Sequence, residues 1–159
     1  MAKEITIYSD GASRGNPGPG GYGVVLLSGP HRKELSAGYS YTTNNRMELL
    51  GVIVGLEAIK RVPANITVIS DSSYVVNAIN KGWVFNWEKK ANFAKKANPD
   101  LWKRFLTIYR KHHVTFKWVK GHDGNTYNEI CDKLAVEAAL DTPNLLIDEG
   151  MPKEDNKIF

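Results

Sequence analysis

The sequence predicts an α/β domain built on a five-stranded mixed sheet, in which an antiparallel meander is joined to parallel strands and helices flank the sheet. Two observations predict this fold class. Three β-rich stretches come first, separated by turn residues, and an apolar helical pattern follows them. An unbroken apolar strand, ITVIS at residues 66–70, comes directly after that helix, and the order strand–helix–strand favours a right-handed crossover with parallel pairing.

The first three strands are expected at Ile5–Ser9, Tyr22–Leu27 and Arg32–Tyr41. Asp10-Gly11 ends the first of them, and the stretch ASRGNPGPGG at residues 12–21 is typical of a turn because it is rich in glycine and proline. The three strands together predict the meander.

The hydrophobic period becomes helical over Asn44–Arg61, where leucine and isoleucine recur on one side. Gly51 and Gly55 lie in an adjoining row with Glu48, so this helix should approach the sheet closely. Pro63 is expected to end it.

The second half of the chain alternates helices with one strand. A short helix is expected over Ser72–Asn80, and Asn98-Pro99 predicts the start of a helix over Leu101–Lys111, because asparagine caps helices and proline suits their first turn. A strand follows at Val114–Lys120, and a closing helix at Tyr127–Leu140.

Composition limits the possible partners and locations. The 159 residues suit one domain, and their net charge of +4 combines −3 over the last 19 residues with +7 over the first 140, which suits a polyanionic partner. No apolar run approaches the roughly 18 residues of a membrane span, and the N-terminus lacks a signal peptide. The single cysteine, Cys131, indicates a reducing, cytoplasmic location without disulfides.

Four acidic residues stand out by their positions. Asp10 and Asp71 end the first and fourth strands, and parallel neighbours would place both at the same carboxyl edge of the sheet. Glu48 lies near the start of the helix that links these strands, and Asp132 lies in the middle of the last helix. Each has an ordinary alternative. Asp10 could belong to a turn and Asp71 could cap a helix. Glu48 could interact with the helix dipole, and Asp132 could face solvent.

Taken together, the four acids predict a metal site. Converging carboxylates repel one another and raise each other's pKa values, and Mg²⁺ relieves that repulsion because it prefers oxygen ligands. Two such ions about 4 Å apart can hold the attacking and leaving oxygens of a phosphoryl displacement.

Six blocks of the sequence resemble those of bacterial ribonuclease H of type 1, in that family's order and spacing. They are YSDG at 8–11, RGNPGPGGYG at 14–23, TTNNRMEL at 42–49, SDS at 70–72, WVKGH at 118–122 and NEICDKLA at 128–135. An isolated Asp-Gly pair would carry no information, whereas six blocks that cover nearly all of residues 3–140 are a specific signal. The resemblance implies a ribonuclease H-like fold.

The resemblance also implies an activity. Asp10, Glu48, Asp71 and Asp132 would be catalytic and would bind metal: two Mg²⁺ ions with substrate, or Mn²⁺ as a substitute. The reaction would hydrolyse the RNA strand of an RNA/DNA hybrid and leave 5′-phosphate and 3′-hydroxyl ends. His122 would assist proton transfer or product release, although a loop histidine is more often an ordinary surface residue.

Contacts to the hybrid follow from the same blocks. The 2′-hydroxyl of RNA both donates and accepts hydrogen bonds, so amide side chains and backbone groups suit it. The candidates are Asn16, Asn44, Asn45 and the backbone around Gly11 and Ser13. Thr43 and the adjacent helix N-terminus would hold a phosphate of the DNA strand. An Asx turn at Asn16 and a plain helix start at Asn44-Asn45 are the alternatives.

Residues 81–99 resemble the family's basic protrusion. The segment from Lys81 to Lys96 holds five lysines, among them Lys89 and Lys90, and one glutamate. Trp83 is expected to line a groove for the DNA strand, and Trp87 to serve partly as core, because tryptophans four residues apart share a helical face.

Three departures from the family pattern matter. Ser73 stands where bacterial members commonly carry a glutamine that contacts the hybrid, so this contact should be shortened or lost. Glu88 places a negative charge in the protrusion, which should weaken binding, and Asp123 should raise the pKa of His122.

The expected organisation is a catalytic domain over residues 1–141 and a polar, acidic, loosely ordered tail over residues 142–159. A monomer is expected, with a single-stranded-DNA-binding protein left open as a further partner. The alternative functions are a DNA-directed nuclease of the same fold, such as a resolvase or integrase core, a non-catalytic hybrid-binding module, and an excised reverse transcriptase domain. The alternatives fit less well because the TTNNRMEL block, all four acids and a methionine start are present.

Overall fold

The computed structural model describes residues 4–121 and 124–151. The strands are β1 (Glu4–Ser13), β2 (Gly18–Ser28), β3 (His31–Thr42), β4 (Asn65–Ser70) and β5 (His113–Trp118). The helices are α1 (Asn44–Glu57), α2 (Ser73–Asn80), α3 (Trp83–Glu88), α4 (Pro99–Tyr109) and α5 (Thr126–Leu140). Shorter helical turns cover Ala91–Lys95 and Thr142–Asn144.

The strands form one mixed sheet in the order β3-β2-β1-β4-β5. β1 pairs antiparallel with β2 and parallel with β4, which in turn pairs parallel with β5. The predicted fold class and the predicted crossover from β1 through α1 to β4 are therefore confirmed. The register places Ser9 beside Ser70. The residues that follow them, Asp10 and Asp71, therefore lie together where the parallel pairing of β1 with β4 ends.

The first two strands are longer than the sequence predicted. The ladder between β1 and β2 continues through Asp10–Gly23 to Ser13–Gly20, so the turn shrinks to the residues between Ser13 and Gly18. Three of the glycines that indicated a turn, Gly18, Gly20 and Gly21, instead lie in β2, where helices pack on both faces of the sheet. Gly20 lies against Met47 of α1, and Gly21 lies against α5, as does Gly23 beyond the predicted stretch. The prediction of a turn over the whole of residues 12–21 was wrong because glycine also serves close packing.

Helix α1 packs on one face of the sheet through the predicted row of small residues. Gly55 lies against Ile7 and Val24, and the buried side chains of α1 join one continuous core with those of β4 and α4. The helix ends at Glu57, not at Arg61 as predicted. The last helical hydrogen bonds are those from Ala58 N–H to Val54 O and from Ile59 N–H to Leu56 O, and Pro63 disfavours helical structure at the residue before it.

The chain after α5 is held in place over residues 142–151, so the expected loose tail was wrong for this part. Leu146 pairs with β3 through its N–H, which donates to Gly38 O at 2.8 Å, and its carbonyl, which accepts from Ser40 N at 2.9 Å. Asp148 is bonded to Thr42 and Arg46. The remainder of the predicted tail, residues 152–159, lies outside the described residues.

No helix within residues 4–121 and 124–151 is long and apolar enough to cross a membrane.

Candidate active site

Three of the four predicted acids meet at one edge of the sheet. Asp10 is the seventh residue of β1, Asp71 follows β4, and Glu48 lies in the second turn of α1. One carboxylate oxygen from each of the three lies within 4.8 Å of the others, as in a metal site. Asp10 and Glu48 are only 4% and 6% exposed, so water screens their charges poorly.

Gly11 allows α1 to approach β1 closely enough to form this cluster. A Cβ atom at position 11 would overlap the backbone N of Glu48 and the carbonyl carbon of Met47, so a larger residue would push the helix away. Gly11 N–H also donates to Asp10 Oδ1 at 2.9 Å, which orients that carboxylate.

The cluster is electrostatically strained in the described protein. Burial first, and the neighbouring Asp71 carboxylate second, raise the pKa of Asp10 to about 8. Burial, followed by repulsion from Asp10, also raises the pKa of Glu48 well above its usual range. Glu48 Oε2 is buried and has no hydrogen-bond partner among the described residues. Three hard oxygen donors and an unpartnered buried oxygen fit the needs of a divalent cation.

Asp132 lies beside this cluster on α5 but is not one of the three closely spaced acids. It is half-buried, and its charge contributes to the raised pKa of Asp10, which places it close to the site. The structure therefore brings three of the predicted acids into contact distance and leaves the fourth at its margin.

The predicted contacts for the hybrid gather where α1 begins. Thr43 caps the helix, its Oγ1 accepting from Arg46 N–H at 3.2 Å, and Asn16 Oδ1 accepts from Asn44 N–H at 3.0 Å. The bond from Asn16 joins the turn between β1 and β2 to the helix that carries Glu48. Asn45 is exposed beside them, and Gly11 and Ser13 lie on β1, which leads into that turn.

A second surface lies on the α2–α3 side of the molecule. A groove of about 530 Å³ is lined by Tyr74, Trp83, Trp87, Lys96 and Ala97, and we call it the aromatic groove. Trp83 is 42% exposed there, whereas Trp87 is half-buried, its ring 6.0 Å from that of the fully buried Trp102. The two tryptophans thus occupy the exposed and partly buried positions that the sequence predicted.

The other predicted contact residues are close in sequence to residues that line the aromatic groove. Lys89 and Lys90 are exposed just after α3, and Ser73 is exposed at the start of α2. Glu88 is not a free negative charge, because Arg110, which directly follows α4, donates to both of its carboxylate oxygens at 2.6 and 2.7 Å. His122 and Asp123 lie outside the described residues.

Two residues near the site were missed by the sequence reasoning. Trp118 is 54% exposed, and its indole N–H donates to Asp71 O at 3.1 Å. Arg46 is buried and bonded to two carboxylates. The signal for Arg46 was available: it is a charge within the same apolar helix that made Glu48 conspicuous, and a buried charge needs a partner.

Comparisons with known proteins agree with the geometry. The family described as RNase H matches residues 2–140 of the chain. A Ribonuclease H of Syntrophus aciditrophicus (strain SB) is 56% identical over 154 residues, which cover 94% of this chain and 88% of that protein. A Ribonuclease HI of Synechocystis sp. is 51% identical over 154 residues, which cover 94% of this chain and 95% of that protein.

Solved structures of RNase H proteins also align with this chain. LC9-RNase H1, a type 1 RNase H with the type 2 active-site motif, aligns with a TM-score of 0.78 at 30% identity, covering 87% of this chain and 73% of that one. LC11-RNase H1 in complex with an RNA/DNA hybrid aligns with a TM-score of 0.65 at 28% identity, covering 87% and 99%.

Proposed function

This chain belongs to the RNase H family, and we propose that it cleaves the RNA strand of RNA/DNA hybrids with two divalent metal ions held by its buried acids. Membership makes it a hydrolytic endonuclease of phosphodiester bonds. The metal mechanism rests on one observation above all: oxygens of Asp10, Glu48 and Asp71 lie within 4.8 Å of one another with no cationic side chain bonded to them among the described residues.

Asp10, Glu48 and Asp71 would hold the ions, with Asp132 completing the set from α5. Mg²⁺ is the proposed ion, with Mn²⁺ as a substitute, because carboxylate oxygens are hard ligands. Bound metal would supply Lewis-acid chemistry: activation of a water and stabilisation of charge on the leaving 3′ oxygen. The products would carry 5′-phosphate and 3′-hydroxyl ends.

The chain's own residues would position the hybrid. Asn16, Asn44 and Asn45 offer amide groups to 2′-hydroxyls in the RNA strand, together with the backbone of Gly11 and Ser13. Thr43 and the first turn of α1 would hold a phosphate, since helix N-termini bind anions. An RNA strand bound at the start of α1 would thereby have a phosphodiester group close to the acidic cluster.

The DNA strand would occupy the aromatic groove. Trp83 is exposed for stacking or sugar contact, and Lys89 and Lys90 would neutralise phosphates nearby. Ser73 is too short to reach as far as a glutamine would, so its contact with the hybrid is expected to be weak. His122 is proposed to assist proton transfer or product release.

Several broader expectations remain proposals. They are a catalytic domain over residues 1–141 with its protrusion at 81–99, a monomeric state, a cytoplasmic location and a single-stranded-DNA-binding partner.

The decisive experiment incubates the protein with end-labelled RNA/DNA, RNA/RNA and DNA/DNA duplexes of one sequence, with Mg²⁺ or with EDTA. We expect cleavage of the RNA strand in the hybrid alone, abolished by EDTA, with products that a 5′-phosphate-dependent exonuclease degrades. Cleavage of DNA/DNA without cleavage of the hybrid would favour the resolvase-like alternative. Binding of the hybrid without Mg²⁺-dependent cleavage would favour a non-catalytic module.

A further inference from the structure

Arg46 carries a buried guanidinium group in the first turn of α1. Its side chain is 3% exposed and forms ion pairs with two carboxylates, those of Asp100 and Asp148. Nη1 and Nη2 donate to Asp100 at 2.9 and 2.7 Å, while Nε and Nη2 donate to Asp148 at 2.8 and 2.9 Å. Paired, forked bonds of this kind fix the orientation as well as the distance of the groups they join.

Asp148 brings the C-terminal strap, residues 142–151, into this arrangement. Its carboxylate is 7% exposed and also accepts from Thr42 Oγ1 at 2.7 Å. Gly150 then passes so close to Arg46 and Asp100 that a Cβ atom at that position would overlap both side chains. The strap therefore lies directly against the Arg46–Asp100 pair, with Asp148 facing Arg46.

The same guanidinium connects to the aromatic groove. Arg46 Nη1 also donates to Asn98 Oδ1 at 3.2 Å, and Asn98 Nδ2 donates to Tyr74 Oη at 3.1 Å. Tyr74 Oη accepts a further bond from Trp102 Nε1 at 2.9 Å, and the Tyr74 ring is one wall of the groove. A continuous set of hydrogen bonds thus runs from Asp148 to the groove wall.

On its other side, Arg46 belongs to the substrate-binding end of α1. Its backbone N–H completes the Thr43 cap, Asn44 is two residues before it, and Glu48 is two residues after it. Arg46 therefore belongs to the start of α1 and is connected to the aromatic groove through Asn98 and Tyr74, so it links both proposed hybrid contacts.

Stability alone does not account for a buried charge at this place. Well-packed apolar residues often stabilise a protein as much as a buried ion pair does, but apolar contacts are non-directional. The hydrogen-bonded network adds a fixed geometry between two surfaces that one duplex would have to touch together.

We propose that Asp148 is a positioning residue: through Arg46, it sets the placement of the start of α1 relative to the aromatic groove, so that the hybrid is bound at both surfaces at once. The inference rests on the proposed function, because both surfaces are the proposed contacts for the hybrid.

The test compares wild type with Asp148→Asn, Trp83→Ala and the double variant. Asp148→Asn keeps the size of the side chain but removes its charge, so KM for the hybrid should rise about tenfold, the equivalent of one charge-assisted hydrogen bond, while kcat stays within about twofold. In the Trp83→Ala background, where the groove contact is already lost, Asp148→Asn should raise KM by less than about twofold.

A matched control exists at the other end of α1. Arg104 of α4 donates to Glu57 at 2.5 and 2.9 Å, so Glu57→Gln also breaks a link between α1 and α4 but touches neither surface. It should leave KM unchanged in both backgrounds. Asp148→Glu, which retains the charge, should recover part of the lost affinity.

All variants are assayed at least 15 °C below their own melting temperatures, measured by circular dichroism. A lower Tm with an unchanged KM for Asp148→Asn would overturn the proposal, as would full additivity of the Asp148 and Trp83 effects. If the proposed function itself were wrong, the wild type would not cleave the hybrid, and this result is distinct from both outcomes above.

Discussion

Glu48 and Asp10 show how much one buried carboxylate can depend on its surroundings. Both are almost fully buried, burial and then repulsion from Asp10 raise the pKa of Glu48, and one Glu48 oxygen has no partner among the described residues. In a protein selected only for stability, such a pair would be replaced, because an uncompensated buried charge costs several kcal/mol. At the residue scale, this strain is the strongest argument for bound metal.

Asp10→Asn tests the assigned role directly. The substitution keeps the shape of the side chain but removes a charged ligand, so Mg²⁺-dependent cleavage should fall by about 100-fold or more. Affinity for the hybrid should change little. The Tm of the metal-free protein should rise at neutral pH, because the wild type must either protonate the Asp10 carboxyl or bury its charge beside Asp71, and asparagine removes that cost. Cleavage assays and circular dichroism measure both effects.

The control for this variant is Glu137→Gln, an exposed acid on α5 that lies 3.9 Å from Lys133. It should retain wild-type activity and stability. Residual activity of Asp10→Asn above about one per cent of wild type would contradict the metal-ligand role.

The raised pKa of Asp10 also predicts a pH dependence of stability in EDTA. The folded carboxyl titrates at about 8 against an ordinary value of 3.8, so the folded state binds more protons than the unfolded state between these limits. Its contribution to stability is fully present below pH 3.8 and is lost as pH rises through about 8. Glu48 acts in the same direction, since its pKa is also raised.

Burial lowers the pKa of His112, so the unfolded state binds more protons than the folded state near pH 6.5. The contribution of His112 to stability therefore increases as pH rises, opposite to that of Asp10. The measurement is therefore the Tm difference between Asp10→Asn and wild type in EDTA, in which His112 cancels. This difference should grow from pH 4 to pH 8, and added Mg²⁺ should reduce it. A difference independent of pH would show that Asp10 is ionised without strain.

At the scale of elements, the basic protrusion is built on an unusual turn. Asn92, Phe93, Ala94 and Lys95 all have left-handed backbone conformations, with φ between 52° and 56°. Such conformations cost an L-residue roughly 1 kcal/mol or more. The turn is held by Phe93, which is buried with its ring 6.4 Å from that of Trp87. The aromatic core beneath the protrusion thus compensates for an unfavourable backbone.

Ala94→Gly should therefore stabilise the protein by about 1 kcal/mol, because glycine adopts a positive φ without a Cβ clash. Urea denaturation measures the change. The matched control is Ala91→Gly in the same turn, where the backbone is not left-handed and the added flexibility of the unfolded chain should destabilise the protein by about 0.5 kcal/mol. Equal effects of the two substitutions would show that the turn is unstrained.

At the scale of the whole molecule, the charge distribution complements the two surfaces. The protrusion from Lys81 to Lys96 holds five lysines and one glutamate, and that glutamate is paired with Arg110 at the end of α4. Glu88 therefore does not neutralise these lysines, and their positive charge lies beside the aromatic groove. Binding of the hybrid should depend on salt, since neutralised phosphates release counterions.

Replacing Lys89 and Lys90 by alanine should reduce the slope of log Kd against log salt concentration by about 1 to 2, because each phosphate contact contributes close to one unit. Fluorescence anisotropy with a labelled hybrid in EDTA measures it. The double control Lys33→Ala and Lys60→Ala lies by the opposite end of the sheet, where Lys33 pairs with Leu26. A control that changes the slope equally would place the duplex elsewhere on the molecule.

The sequence by itself determined the order and type of the main elements, the mixed sheet and the meeting of Asp10 with Asp71. These features follow from local periodicity and from one topological rule, that parallel strands end at the same edge. The six family blocks added the activity. Two predictions at this level were wrong. The turn over residues 12–21 was predicted from glycines that pack against helices, and α1 ends at Glu57 instead of Arg61.

Only the tertiary structure decided the partners of charged residues far apart in the chain. Arg46 and Asp148 are separated by 102 residues, and Glu88 and Arg110 by 22. The apolar helix around Arg46 indicates that this charge needs a partner, but nothing in the local sequence says which residue the partner is. The same holds for Tyr74 as a wall of the groove and for the ordered strap over residues 142–151. Hydrophobic periodicity shows which face of a helix or strand is buried. An ion pair depends instead on how two elements pack together in the folded protein, and the pattern along one element does not encode that packing.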